Sequence, residues 1–299
     1  MIKKIITALV LMFSTIFIKE TKIFEEIKNI KNVVVDQPKT EIIVVGDIML
    51  GRSVMSKSLT KKDFNYPFLR TADILKTANI TFGNLENPII ENCPISNGGF
   101  TFCSSPEMIS GLTFSGINIV NLANNHTKNY SNDGLVQTQD YLQKEKIDYV
   151  GVNNLIIKDV NQTKFGFLGF DFVGKNPSNS DYELIKKSKN QVDVLIVMIH
   201  WGNEYVAKSN NTQKEIAKNI INNGGDVIIG GHPHWVQEME YIEGKPVFYS
   251  LGNFVFDQSW SEETKKGLVV RLNYQDKNLL GIDQMPIYME NFGQPRWVY

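Results

Sequence analysis

Val194-Leu195-Ile196-Val197-Met198-Ile199-His200 and Asp226-Val227-Ile228-Ile229-Gly230-Gly231-His232-Pro233-His234 are two short apolar runs, each leading into histidine. Short β-branched runs of this kind are buried strands of a parallel sheet. Between them, residues 212–222 put Ile216, Ala217, Ile220 and Ile221 on one helical face, and Gly224-Gly225 closes that helix. Strand, helix, strand is the unit of an α/β sheet. In such sheets ligands bind just past the carboxyl ends of the strands. The histidines therefore stand where a site is expected.

The same pattern recurs upstream. His126 closes Ile117-Asn118-Ile119-Val120-Asn121-Leu122-Ala123-Asn124-Asn125, and Ile42-Ile43-Val44-Val45 ends at Gly46-Asp47. Residues 80–85 form another apolar run, which stops at Glu86. All four histidines and at least one carboxylate are thus expected to converge on one edge of one sheet, the arrangement of a metal site. Neutral imidazole is the commonest ligand for zinc, iron and related ions. His232-Pro233-His234 is the sharpest signal, because glycine permits the turn before it and proline stiffens it. Taken singly, His126 and His200 read equally well as structural residues at strand ends. Further strands are expected at 149–152, 165–170, 247–250 and 268–272, and helices at 68–77, 106–115 and 134–144. The later strands lie closer together in sequence, so part of the sheet should be antiparallel.

The chain has 299 residues, enough for one large core, with 31 basic against 32 acidic side chains. That balance gives no sign of nucleic acid as a partner. The amino terminus carries Lys3-Lys4 followed by an apolar stretch from Ile5 to Ile18. As a helix it is roughly 21 Å long, short of a hydrocarbon core of about 30 Å; Lys4 and Lys19 could snorkel to close the gap. No small-residue cleavage site is evident, so residues 1–20 read as an uncleaved anchor, with a cleaved signal peptide or a buried helix as alternatives. Positive charge stays inside, which puts the body outside the cell membrane. Residues 21–40 are charged, contain Pro38 and read as a linker; residues 41–299 form the globular domain. Cys93 and Cys103 could form a disulfide in an exported protein, or remain two buried thiols.

The order of motifs along the chain resembles the calcineurin-like metallophosphoesterase superfamily. More closely, Gly46-Asp47-Ile48-Met49, Asn84-Leu85-Glu86, Ala123-Asn124-Asn125-His126, His200-Trp201-Gly202-Asn203-Glu204-Tyr205, Gly231-His232-Pro233-His234 and Ser250-Leu251-Gly252-Asn253-Phe254 resemble the capsule-synthesis CapA/PgsA family. The resemblance implies a layered α/β sandwich of mixed β-sheets flanked by helices. It also implies a membrane-attached component of poly-γ-glutamate synthesis, export or anchoring, working with other synthase subunits on an anionic cell-surface polymer. One or two divalent transition-metal ions (manganese, iron or zinc) would be bound. One ion would take Asn125, His200 and His232, with Glu86 as bridge; the other would take Asp47 and His234. His126 would protonate the leaving group or steady the transition state. A metal-acidified water would be the nucleophile of a hydrolase-type reaction.

Two positions depart from these patterns. The superfamily has a histidine two residues after the first aspartate; here, as in the CapA branch, it is Met49, and a thioether is a poor ligand for such metals. The CapA pattern has an aspartate where this chain has Asn129, and Asp133 is a possible substitute. Arg52 could hold an anionic substrate group or an ordinary salt bridge. Glu204 and Asn253 could line the pocket or serve as turn residues. Trp201 and Tyr205 read as packing. The departures leave two other functions open: a non-catalytic assembly or tethering subunit of a polymer synthase, and a general metallophosphodiesterase, since fold does not fix substrate.

Overall fold

In the computed structural model the described residues are 39–298, together with Lys19, Thr21 and Lys22. Apart from those three, the expected anchor and the expected linker up to residue 38 lie outside the described residues. Among the described residues no helix is long and apolar enough to cross a membrane.

The apolar run around Val44 becomes β1 (Lys39–Ile48), which is buried along nearly its whole length. It starts two residues inside the expected linker, because Lys39 and Thr40 already pair with Gln275 and Tyr274. Parallel strands β2 (Ile80–Leu85), β3 (Ile119–Asn121) and β4 (Asp148–Val150) follow on one side of β1. The second sheet is built from β5 (Ile156–Val160), β6 (Thr163–Asp171), β7 (Val194–His200), β8 (Val227–Gly231), β9 (Met239–Ile242) and β10 (Lys245–Phe248), in the order β5-β6-β7-β8-β10-β9. The chain then returns to the first sheet. There β11 (Asn253–Val255) joins β1, and β12 (Lys266–Gln275), β13 (Asn278–Glu290) and β14 (Gln294–Trp297) extend it antiparallel on the other side.

Side-chain alternation assigns the layers. Ile42 and Val44 of β1 pack between the sheets with Phe82, Phe167, Ile196 and Met198. The Phe82 and Phe167 rings meet edge-on across that interface at 5.4 Å. Ile43 and Val45 point the other way, toward Val54, Leu112 and Leu142. These sit on α1 (Arg52–Lys61), α3 (Ile109–Ser115) and α4 (Ser131–Lys144), while the four-residue α2 (Ala72–Leu75) adds Leu75. On the far side, Leu195, Val197 and Ile199 of β7 cover α5 (Asn179–Lys189) and α6 (Asn211–Asn222). A last short helix, α7 (Glu262–Lys265), precedes β12. The result is a helix–sheet–sheet–helix sandwich.

Two expectations need correction. The helix expected at 68–77 is a 3-10 turn, Tyr66–Phe68, followed by α2. The Thr71 N–H and hydroxyl both donate to the Phe68 carbonyl, which tightens the chain to an i−3 pattern between them. The strand ends also do not share one sheet. Asp47, Glu86 and His126 come from the first sheet, and His200, His232 and His234 from the second. They approach each other because the two sheets present their carboxyl ends on the same side.

Candidate metal centre

Asp47 lies at the end of β1, where the register with β2 shifts and Asp47 aligns with Asn84. Its Oδ1 accepts from Asn84 Nδ2 (2.8 Å) and its Oδ2 from the His232 N–H (3.1 Å). Burial alone would raise its pKa. The hydrogen bond from His234, the electrostatic pull of the neighbouring His200 and His234 rings, and the His232 N–H outweigh burial and bring it down to about 2. Gly231 makes the approach possible, since a Cβ there would lie 2.5 Å from Asp47 Oδ1. The turn that follows is held in left-handed backbone at both histidines, with φ of 92° at His232 and 58° at His234. Such strain in non-glycine residues persists where surrounding structure over-determines it.

Glu86, one residue past β2, is fully buried and neither of its oxygens has a hydrogen-bond partner. Around its Oε1 stand three imidazole nitrogens, Nε2 of His126, His200 and His234, each at 3.8 Å. Burial pushes the Glu86 pKa well up, and the negative charges of Asp47 and Glu204 push it further. Burial likewise holds His200 well below the ordinary histidine value and lowers His126. For His232, burial and then the nearby charge of His234 bring the pKa down to about 4. The imidazoles of His126, His200 and His232 are therefore neutral near pH 7, the form that ligates metal. His200 Nε2 and His232 Nδ1 are also buried without partners. Buried polar atoms are normally satisfied. Two carboxylate oxygens and two imidazole nitrogens buried without partners are donors of the kind that divalent cations take. Asp47, Glu86 and His234 offer ligand atoms within 4.8 Å of one another.

Neighbouring groups orient these ligands. Asn253 Nδ2 donates to Gln258 Oε1 (3.1 Å) and to the Thr264 carbonyl (3.0 Å). Its Oδ1 therefore faces His234 Nδ1 at 2.9 Å and sets the ring proton there, leaving the Nε2 lone pair toward Glu86. His126 Nδ1 lies 3.0 Å from Asn129 Oδ1 and its ring stacks on Phe102 at 3.9 Å.

A family model described as bacterial capsule synthesis protein PGA_cap matches residues 41–258. The chain belongs to this capsule-synthesis family. It is 29% identical to the capsule biosynthesis protein CapA of Bacillus anthracis, over 96% of this chain and 75% of that protein. It is 30% identical to the PGA biosynthesis protein CapA of Bacillus subtilis (strain 168), over 75% of this chain and 65% of that one. Among solved structures, a hypothetical protein from Thermus thermophilus superposes with a TM-score of 0.58 at 11% identity, covering 84% of this chain and 100% of that one. A putative 5'-nucleotidase from Staphylococcus aureus does so with a TM-score of 0.50 at 13% identity, covering 85% of this chain and 55% of that one. These likenesses concern the fold alone, the sandwich of two mixed sheets flanked by helices.

The family's remaining motif positions fall in different places. Asn125 is exposed and lines a cavity of about 710 Å³ with Asn124, Lys128, Asp171 and Lys175. Asn124 is buried instead, and its Nδ2 donates to Asn84 Oδ1 (3.2 Å) and the Leu85 carbonyl (2.8 Å). Met49 Sδ accepts from the Gly51 N–H (3.1 Å). Asp133 is exposed, and it is Asn129 that reaches His126. Arg52 is tied to Asp257 and to the Gly99 carbonyl (2.8 Å), with its guanidinium 4.6 Å above the Phe102 ring. Glu204 is exposed, while Tyr205 stacks on His234 at 5.9 Å and meets Trp260 edge-on at 4.6 Å. Asn253 is fully buried. Trp201 is buried too, its Nε1 donating to the Tyr249 carbonyl (2.8 Å).

Sequence reasoning assigns no role to Asn84, Asn121 or Phe102. Asn84 Oδ1 accepts from both Asn121 (3.0 Å) and Asn124, which turns its Nδ2 toward Asp47 and, at 3.2 Å, His200 Nδ1. The available signal was an amide inside an apolar strand run, since a buried amide has to be satisfied. Nothing in the sequence pointed to Phe102.

Proposed function

We propose that this chain is a membrane-attached, extracellular component of capsule-polymer assembly, with poly-γ-glutamate as the polymer and a metal-dependent hydrolase-type site. The polymer reading is supported by family membership and by relatives named for capsule and PGA biosynthesis. A more distant relative in Mycobacterium tuberculosis, 20% identical, is named a probable polyglutamine synthesis accessory protein, which fits work beside other synthase subunits. The chemical reading rests on one observation, a buried carboxylate without hydrogen bonds surrounded by three imidazole nitrogens at 3.8 Å. Asp47, Glu86, His200, His232 and His234 would hold one or two ions of manganese, iron or zinc, while Asn125 lines a cavity whose walls include none of these ligands. When bound, these supply Lewis acidity and an acidified water. Asp47 and the strand ends keep the ligands in place. His126 keeps its proton on Nδ1 toward Asn129, so its Nε2 is free to take up a proton and deliver it to a leaving group.

One observation favours a second reading. Met49 is turned to the Gly51 N–H, which removes a donor from the Asp47 side and fits a single ion or a non-catalytic assembly subunit. The test is metal content by mass spectrometry on the full chain, purified without chelators, alongside His232→Ala. Polymer output in cells carrying His126→Ala is measured in parallel. Bound metal lost in His232→Ala, with polymer output lost in His126→Ala, is the expected result. Metal that is absent even after manganese, iron or zinc is added overturns the metal site. Polymer output unchanged by His126→Ala leaves the assembly subunit.

A further inference from the structure

The loop between β2 and α3 is exposed over most of residues 91–101, yet it then buries one large ring beside the site. Phe102 is 2% exposed, while Phe100, two residues earlier, is 78% exposed. Phe102 stacks on His126 at 3.9 Å with a 26° tilt, and its other contacts are the Arg52 guanidinium and the edge of Phe256 at 5.9 Å. The loop is fastened at both ends of this segment. Cys103, next in sequence, is bonded to Cys93 across the loop. The Cys103 carbonyl also sits against Gly51, where a Cβ would come within 2.1 Å of it, and Arg52 Nη1 donates to the Gly99 carbonyl.

The decisive contact is a shared acceptor. Asn129 Oδ1 accepts from the Phe102 N–H (2.6 Å) and lies 3.0 Å from His126 Nδ1. Because the Phe102 N–H is a donor, it fixes which end of the Asn129 amide points inward. With the oxygen inward, His126 has to donate from Nδ1. The ring packed on His126 and Phe256 seats that N–H. Phe102→Leu keeps the N–H but loses the ring, so the segment draws off Asn129, whose amide is then free to rotate and offer Nδ2, which moves the His126 proton to Nε2 and removes the lone pair there.

We propose that Phe102 is a positioning residue for His126, and that the Cys93–Cys103 disulfide holds the His126 tautomer, so that reduction by a dithiol disables His126 while leaving the metal cluster intact. The consequence for activity rests on the acid–base role proposed for His126. Cys93 is the half-buried member of the pair and the reachable sulfur. A reductant thiolate attacks Cys93 Sγ, the Sγ–Sγ bond breaks, and Cys103 leaves as a thiolate that takes a proton. The reductant's second thiol then displaces Cys93, giving two protein thiols and an oxidised reductant.

The experiment uses the full chain with ¹⁵N-labelled histidine, in detergent, and reads the imidazole tautomers by long-range ¹H–¹⁵N correlation, with His126→Gln for assignment. Cys93→Ser/Cys103→Ser stands in for the reduced state and avoids thiol reagents that compete for metal. Metal content is measured on the same samples. In the parent protein His126 should show only the Nδ1–H form. The double variant and Phe102→Leu should lose that single form and keep their metal, and Phe102→Tyr should restore it. An unchanged His126 signal in Phe102→Leu overturns the proposal, as does loss of metal together with the tautomer in the double variant and Phe102→Leu alike. If the double variant does not fold, Phe102→Leu and Phe102→Tyr decide. These signals do not depend on whether His126 does chemistry, so failure here is distinct from failure of the His126→Ala polymer test.

Discussion

The two sides of the cluster treat a buried carboxylate in opposite ways. On the Asp47 side the protein supplies every partner: Asn84, the His232 N–H and, at 3.6 Å, His234 Nδ1. On the Glu86 side it supplies none, although Glu86 is as deeply buried. An isolated charge in such a place costs several kcal/mol, of the order seen for unpaired buried ions, unless it is neutralised or meets a cation. Asp47 is therefore pre-ordered by the fold, while Glu86 either holds a proton or meets a cation. On the proposed metal reading, the contrast pairs a rigid frame with a carboxylate left for the ion.

The largest effect that tests this contrast is on metal affinity. Glu86→Ala removes the group around which three imidazoles gather, and affinity should fall on the order of 100-fold or more, the upper end of what supporting shells alone control. Asp47→Asn keeps the shape and an oxygen, and should weaken binding about 10-fold. Calorimetric titration of the chelator-treated protein with zinc or manganese measures both. Equal losses would remove the distinction between the two sides.

The next effect is on stability against pH in the metal-free protein, where the two carboxylates have opposite signs. Glu86 has a folded pKa well above its ordinary value of 4.5, so the folded state keeps the proton longer. Stability then declines as pH rises above that ordinary value toward the folded one. Asp47 has a folded pKa of about 2 against 3.8. Its contribution is complete above the unfolded value and is lost as pH falls toward the folded one, roughly 2 kcal/mol in all. Glu86→Gln should therefore raise the urea midpoint at pH 7 and flatten the neutral limb, while Asp47→Asn flattens only the acid limb. A Glu86→Gln midpoint at or below the parent's at neutral pH would contradict the reading of Glu86.

What the sequence disclosed follows the same division. His200, His232, His234 and Asp47 were legible because an apolar run that stops at a polar residue marks a strand end, where α/β sheets place their sites. The allocation of those ends to two sheets was not legible, since periodicity shows that a strand is buried but not which partner it pairs with. β11 has only three residues, too few to show a period, although it carries Asn253 beside Asp47. The amides of Asn84, Asn121 and Asn124 form a connected set only in three dimensions. Phe102 acquires its place from a loop closure between Cys93 and Cys103, a constraint with no periodic signature.

The smallest effect concerns His234, which touches both sides: Nδ1 faces Asp47 and Asn253, and Nε2 faces Glu86. Asn253→Ala removes the acceptor that holds the proton on Nδ1. It leaves Asp47 Oδ2 as the alternative acceptor, so the ring should tilt toward Asp47 rather than swing free. Outer-shell losses of this kind cost about 10-fold in affinity, and here the remaining acceptor should keep the loss at or below that value. The Gln258 and Thr264 acceptors lose a donor as well, which should lower the thermal midpoint by a few degrees, consistent with about 1 kcal/mol. Metal titration and thermal melts of the metal-free variant separate the two contributions. A loss in affinity as large as that of Glu86→Ala would mean that the Asp47 side is not pre-ordered on its own, and that Asn253 is what holds it.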